Sequence, residues 1–134
     1  MKITFLGTSG GLLTRMKGYP SILIDQSLLL DCGDGTTQRL LQVNSIDSIK
    51  IICVSHLHGD HFMGISSLLW YFMFKNRKDE QTIIGPTLVK ETIEKIFNLQ
   101  TNSLGIKFLP FKLNFKELED INEEDTKWQI SNTL

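Results

Sequence analysis

The chain has 134 residues, 41% of them hydrophobic and 22% charged, with a formal net charge of -1. That length allows one domain at most, with a core of ordinary size, and the near-neutral balance excludes a protein that grips polyanions through its general surface, which needs a clear basic excess. The two cysteines, Cys32 and Cys53, form no disulfide framework and read as free thiols in a reducing cytoplasm. The opening MKITFLGTSGG has too short an apolar run for a signal peptide. The longest apolar block, LLWYFMF from Leu68 to Phe74, falls far short of the ~20 residues of a membrane span, so a soluble, cytoplasmic protein is expected.

KITFL reads as a short strand, closed by the glycine loop GTSGG. A strand followed by glycines, with Asp25 further on, loosely suggests a dinucleotide fold, but LLTRMKGYP puts glycine and proline where that fold needs a helix. SILID and SLLLD predict a hairpin. GTTQRLLQVN carries apolar residues at helical spacing and ends on asparagine, hence a short helix. IKIICVS is a continuous apolar strand of the kind buried on both faces. ISSLLWYFMFKNR is a helix apolar nearly all round, to be buried against two surfaces or at a subunit contact. TIIGP is a further strand, and TLVKETIEKIFNLQ an amphipathic helix with Leu88, Val89, Ile93, Ile96 and Phe97 inward. IKFLPFKL predicts a strand interrupted by Pro110, near an edge. KELEDINEEDTK reads as a solvated loop and WQIS as the start of another strand. The alternation implies an α/β fold with helices outside a mixed sheet.

All three histidines lie in HLHGDH, His56 to His61, directly after the apolar strand. Imidazole and carboxylate suit zinc and its first-row neighbours. His56 and His58 are two apart and point the same way in extended chain, and Gly59 allows a bend that brings Asp60 and His61 to the same mouth. Four donors within one loop exceed what one ion usually takes, which points to two adjacent metals.

HLHGDH resembles the H-x-H-x-D-H motif of the metallo-β-lactamase superfamily. With FLGTSGG, LLLDCGDGTTQRLL, HLHGDHFMGISSLL and IIGP in that order, the chain resembles ribonuclease Z, the tRNA 3′-end processing endonuclease. The resemblance implies an αββα sandwich and a zinc-dependent phosphodiesterase acting on precursor tRNA. It implies that His56 and His58 bind the first of two zinc ions and Asp60 and His61 the second, with Asp60 also moving a proton. Asp31 matches the aspartate of an earlier family motif and is expected to support a ligand histidine, although a turn or helix-capping carboxylate is the plainer reading.

The sequence departs from that pattern at two places. Ribonuclease Z proteins usually carry P-x-K-x-R-N after the first strand; here the stretch is Leu13 to Gly18, with Arg15 and Lys17 in exchanged order and no proline or asparagine. Arg15 and Lys17 are carried over as substrate contacts, and the altered loop leaves room for a related phosphodiesterase of small or cyclic nucleotides. No histidine follows His61, so a third histidine, a bridging aspartate and a final histidine are missing. Residues 1–134 are therefore expected to be the amino-terminal half of one metallo-β-lactamase domain, with weak zinc binding and no catalysis by itself. Apolar surface left by the half sandwich, around LLWYFMF, favours a homodimer. A noncatalytic binding or assembly module is the reading from another class.

Overall fold

The structure, a computed structural model, describes residues 1–119. Its frame is a six-stranded sheet whose spatial order follows chain order: β1 (Ile3–Gly7), β2 (Ser21–Ile24), β3 (Leu28–Leu30), β4 (Ile51–Cys53), β5 (Gln81–Pro86) and β6 (Leu113–Leu118). The first two pairings are antiparallel, the SILID and SLLLD runs forming the expected hairpin, and the other three are parallel. Each parallel step needs a crossover, and these carry α1 (Thr36–Gln42), then α2 (Gly59–Phe62) with α3 (Gly64–Phe74), then α4 (Val89–Gln100). Right-handed crossovers that all advance in one direction across a sheet put every helix on the same face.

Burial along the strands agrees. Leu23, Leu29, Ile52 and Ile83, paired in register across four strands, are 2% exposed or less and share one core with Leu40, Leu68, Leu69, Phe72, Ile93 and Phe97 of the helices. Their alternates Ile22, Ile24, Leu28, Leu30, Ile51, Cys53 and Ile84 are only half-buried, and Phe5 on β1 is 65% exposed. The central strand β4 was expected to be buried on both faces; only Ile52 is, because no helix covers the second face among the described residues.

Two further expectations change. The exposed apolar surface lies on this helix-free sheet face more than around LLWYFMF, where Leu68, Leu69 and Phe72 are buried and only Phe74 is strongly exposed, at 77%. Leu88 was placed on the inner side of α4, yet it precedes the helix in the left-handed region (φ 73) and is 55% exposed, while Val89, Ile93 and Phe97 are buried. IKFLPFKL is not one strand: a 3₁₀ turn spans Ile106–Phe108, and β6 starts after Pro110, whose missing N–H could not join the ladder. Among the described residues β6 lies at the edge of the sheet, as expected, but it takes in Lys116 to Leu118 of the supposed acidic loop. The rest of that loop and WQIS lie outside the described residues.

Arg77 ties the end of α3 to the segment before β4. Its guanidinium lies 4.3 Å from the Phe72 ring centroid and donates to the Ile49 carbonyl, and burial lowers its pKa from the usual value. No described helix is long and apolar enough to cross a membrane.

Candidate metal centre

β1, β3, β4 and β5 run in the same direction, so the loops at their carboxyl ends gather at one edge of the sheet, where open α/β sheets place their sites. Three of those loops meet here. The first follows β1, and a Cβ added at its Gly11 would stand 3.9 Å from Asp60 Oδ2. The second is the corner Asp31 to Gly33, and the third is the histidine loop after Val54.

The corner and the histidine loop are joined through backbone. The Asp31 amide donates to the Cys53 carbonyl (2.8 Å), the Cys32 amide to the His61 carbonyl (2.7 Å), and the Gly64 amide to the Cys32 carbonyl (2.9 Å). The approach is close enough to require glycine: a Cβ on Gly64 would lie 2.1 Å from the Gly33 carbonyl oxygen, and one on Gly33 would lie 2.3 Å from that of Asp60. Gly59 opens a one-turn helix instead of a simple bend, and this turns Asp60 and His61 back toward His56. The His56 ring centroid is 4.7 Å from that of His58 and 4.0 Å from that of His61.

Asp31 is the hub of the side-chain network. One carboxylate oxygen accepts the Ser55 amide (2.8 Å); the other accepts the Ser55 hydroxyl (2.9 Å) and His61 Nδ1 (2.7 Å). Because the Ser55 hydroxyl spends its only proton on Asp31, its oxygen is left to accept from His56 Nδ1, 3.0 Å away. Both imidazoles are thereby held with Nδ1 protonated and Nε2 available as a lone-pair donor. Asp31 does not cap α1: the N-cap of that helix is Gly35, with no side-chain cap, and the Thr36 hydroxyl donates to the Gly33 carbonyl. Ser55 was not anticipated from the sequence; its one signal was its place between the strand end and the first histidine.

Three imidazoles with Asp60 are the donor types zinc takes, and the fixed tautomers suit ligation. Among the described residues, however, no three His, Cys, Asp or Glu side chains stand where they could hold one ion between them. His61 Nε2 and Asp60 Oδ2 are 3.4 Å apart. The donor chemistry fits, while the set does not converge by itself.

Arg15 and Lys17 do not join the histidines. They line an open groove of ≈ 390 Å³ with Tyr19, Asp34 and, from α1, Gln38, Arg39 and Gln42. The thiols are set apart from metal chemistry: burial pushes Cys32 up to about 12, against a smaller lowering by its hydrogen bond with Thr36, and burial raises Cys53 as well. Both cysteines are free.

A family model described as Anti-Pycsar protein Apyc1 matches residues 1–132. The chain is 38% identical to a ribonuclease Z of Methanococcus aeolicus over 87% of its own length and 38% of the relative's, and 35% identical to a ribonuclease Z of Clostridium perfringens over 95% and 43%. Among solved structures, the short form of human tRNase Z superposes with a TM-score of 0.77 at 28% identity, covering 90% of this chain and 47% of that one. The metallo-β-lactamase fold protein YhfI of Bacillus subtilis gives 0.65 at 21% identity, covering 86% and 45%, a likeness of fold. The chain thus spans less than half the length of these proteins. Its mixed sheet with helices on one face is the metallo-β-lactamase fold over that span, and the chain belongs to the family described as Anti-Pycsar protein Apyc1, with ribonuclease Z among its relatives.

Proposed function

We propose that the complete protein is a zinc-dependent phosphodiesterase, the endoribonuclease that removes the 3′ trailer of precursor tRNA, and that residues 1–134 are the amino-terminal half of its single domain. The observation that carries this is the carboxyl-end site in which Asp31 and Ser55 fix His61 and His56 beside Asp60, in a chain similar to ribonuclease Z. In this reading His56 and His58 would hold one metal and Asp60 and His61 the other, and the remaining ligands, a third histidine, an aspartate and a final histidine, would come from outside residues 1–134. Two bound zinc ions would lower the pKa of a shared water and stabilise attacking and leaving oxygens. This chain's residues orient the donors, and Asp60 carries the proton to or from the reacting oxygen.

The helix-free apolar sheet face supports the half-domain reading, since a sandwich needs a second sheet there. The complete protein then works in the cytoplasm as a homodimer, while the 134-residue chain alone holds zinc weakly and is inactive. Full-length protein loaded with zinc should release the 3′ trailer from a precursor tRNA and lose that activity with His58→Ala. Absence of cleavage by the wild type would overturn the reading.

A second reading is hydrolysis of a small or cyclic phosphodiester. The altered loop Leu13 to Gly18, and a family model whose name differs from ribonuclease Z, favour keeping it. Turnover of a cyclic nucleotide without cleavage of precursor tRNA would select it. A noncatalytic assembly module would do neither, and a coding sequence without a histidine soon after Leu134 would favour that.

A further inference from the structure

Among the described residues, eight besides glycine have a positive φ, and seven of them are Asp, Asn, Gln or Ser. The eighth is Leu88, at φ 73, an apolar residue in a region that side chains of its kind rarely adopt. The local geometry shows what forces it. β5 ends at Pro86 and α4 starts at Val89, and the chain folds back so tightly that a Cβ on Gly85 would lie 2.9 Å from Cγ2 of Val89. The return is made through the positive φ of residue 88, which glycine would supply without steric cost. Leucine is strained there, and burial in the core does not compensate: its side chain is 55% exposed, while that of Val89 is buried. Strain that the fold does not use points to a use outside it. The position is the mouth of the metal centre. β4 and β5 run parallel and stay paired past the end of β4, where the Val54 amide donates to the Ile84 carbonyl (2.8 Å). From that bond two residues lead to His56 on one chain and four to Leu88 on the other, so both leave the sheet at the same edge. A leucine has no charge and no hydrogen-bonding group, so it cannot hold a phosphate. What it offers is apolar contact, and in a phosphodiester the matching surface is the face of the base or sugar beside the phosphate.

We propose that Leu88 is a specificity-determining residue that packs against the nucleoside next to the scissile phosphate and so separates nucleotide esters from simple alkyl phosphoesters. The assignment deepens the phosphodiesterase reading and rests on it for the chemistry of the ligand.

The test is isothermal titration of the complete, zinc-loaded protein with two probes that share one phosphate group, uridine 5′-monophosphate and methyl phosphate. Wild type should prefer the nucleotide. Leu88→Ala and Leu88→Gly should each weaken binding of the nucleotide about fivefold and leave that of methyl phosphate unchanged. Urea unfolding of the same protein separates this role from a structural one. Leu88→Gly relieves the strained φ and should unfold at the same urea concentration as wild type or a higher one. Unchanged nucleotide affinity in both variants, an equal loss for both probes, or a wild type without preference for the nucleotide would overturn the assignment. A clear fall in the urea midpoint with Leu88→Gly would also overturn it, because the leucine would then serve the fold. Binding is read without turnover, so failure here is distinct from failure of the catalytic reading, which appears as uncleaved precursor tRNA.

Discussion

Asp31 keeps its backbone at φ 55, a conformation that costs most side chains about 1 kcal/mol and that Asp and Asn tolerate best. Asp31→Asn therefore preserves the corner while removing the second acceptor that His61 and the Ser55 hydroxyl share. We expect zinc affinity of the complete protein to fall 10- to 100-fold, as for other losses of a carboxylate behind a metal-binding imidazole, measured by competition with a chromogenic chelator. Unchanged affinity would remove Asp31 from the supporting role. Cys32 yields a pH prediction of definite sign. Its thiol is raised from 9.0 to about 12 in the fold, so above pH 9 the unfolded chain loses a proton that the native one keeps. Stability from this group is complete below pH 9 and falls by about 1.4 kcal/mol per pH unit on the way to 12. Urea titrations at pH 8.5 and 10 should show the difference, and Cys32→Ala should flatten it. At this scale the histidine cluster was legible because three imidazoles in six residues are rare, whereas Ser55 was not. A serine at a strand end looks the same whether or not its hydroxyl orients a neighbouring imidazole.

Among the elements, α3 docks on the Asp31 corner through Gly64, where any Cβ would strike the Gly33 carbonyl. Gly64→Ala should cost about 1–3 kcal/mol in urea unfolding and displace α2 with its Asp60 and His61. Wild-type stability in this variant would mean that the close approach has room to relax. Strands and helices were legible where apolar periodicity was strong, as in the hairpin, α1, α3 and α4. The errors came where one residue type served two purposes. Leu88 fits the apolar face of a helix by spacing, but the chain turns there with positive φ, leaving its side chain outside. IKFLPFKL has strand composition throughout, yet Ile106–Phe108 form a 3₁₀ turn, Pro110 has no N–H to give a ladder, and pairing begins only at Leu113. β4 is apolar at consecutive positions because both sheet faces carry apolar residues, a pattern that composition alone equates with burial on both sides.

For the whole molecule, that second face carries a prediction about behaviour in solution. Phe5 and Ile22 are register partners on it, so the isolated chain should self-associate or bind a hydrophobic dye, and Phe5→Lys with Ile22→Lys should reduce both. Sedimentation at increasing concentration checks this, and a strictly monomeric wild type that ignores the dye would refute it. The fold class was legible from ordered motifs, but which face would stay open was not, since that depends on crossover handedness rather than on any residue. The sheet order has one more consequence, for synthesis. Each strand lies beside the one made immediately before it, so no gap waits for a later segment. Emerging from the ribosome at ≈ 5–20 residues per second, the chain can add strands from one edge to the other as they appear. The Asp31 corner and the histidine loop are then joined once α3 has emerged, while β5 and β6 are still to come. On ribosomes stalled with about 75 residues exposed, a count that follows from the end of α3 at Phe74, protease protection should already cover the hairpin through α3. The Asp31–Ser55–histidine network would thus be assembled early, before the last two described strands are made.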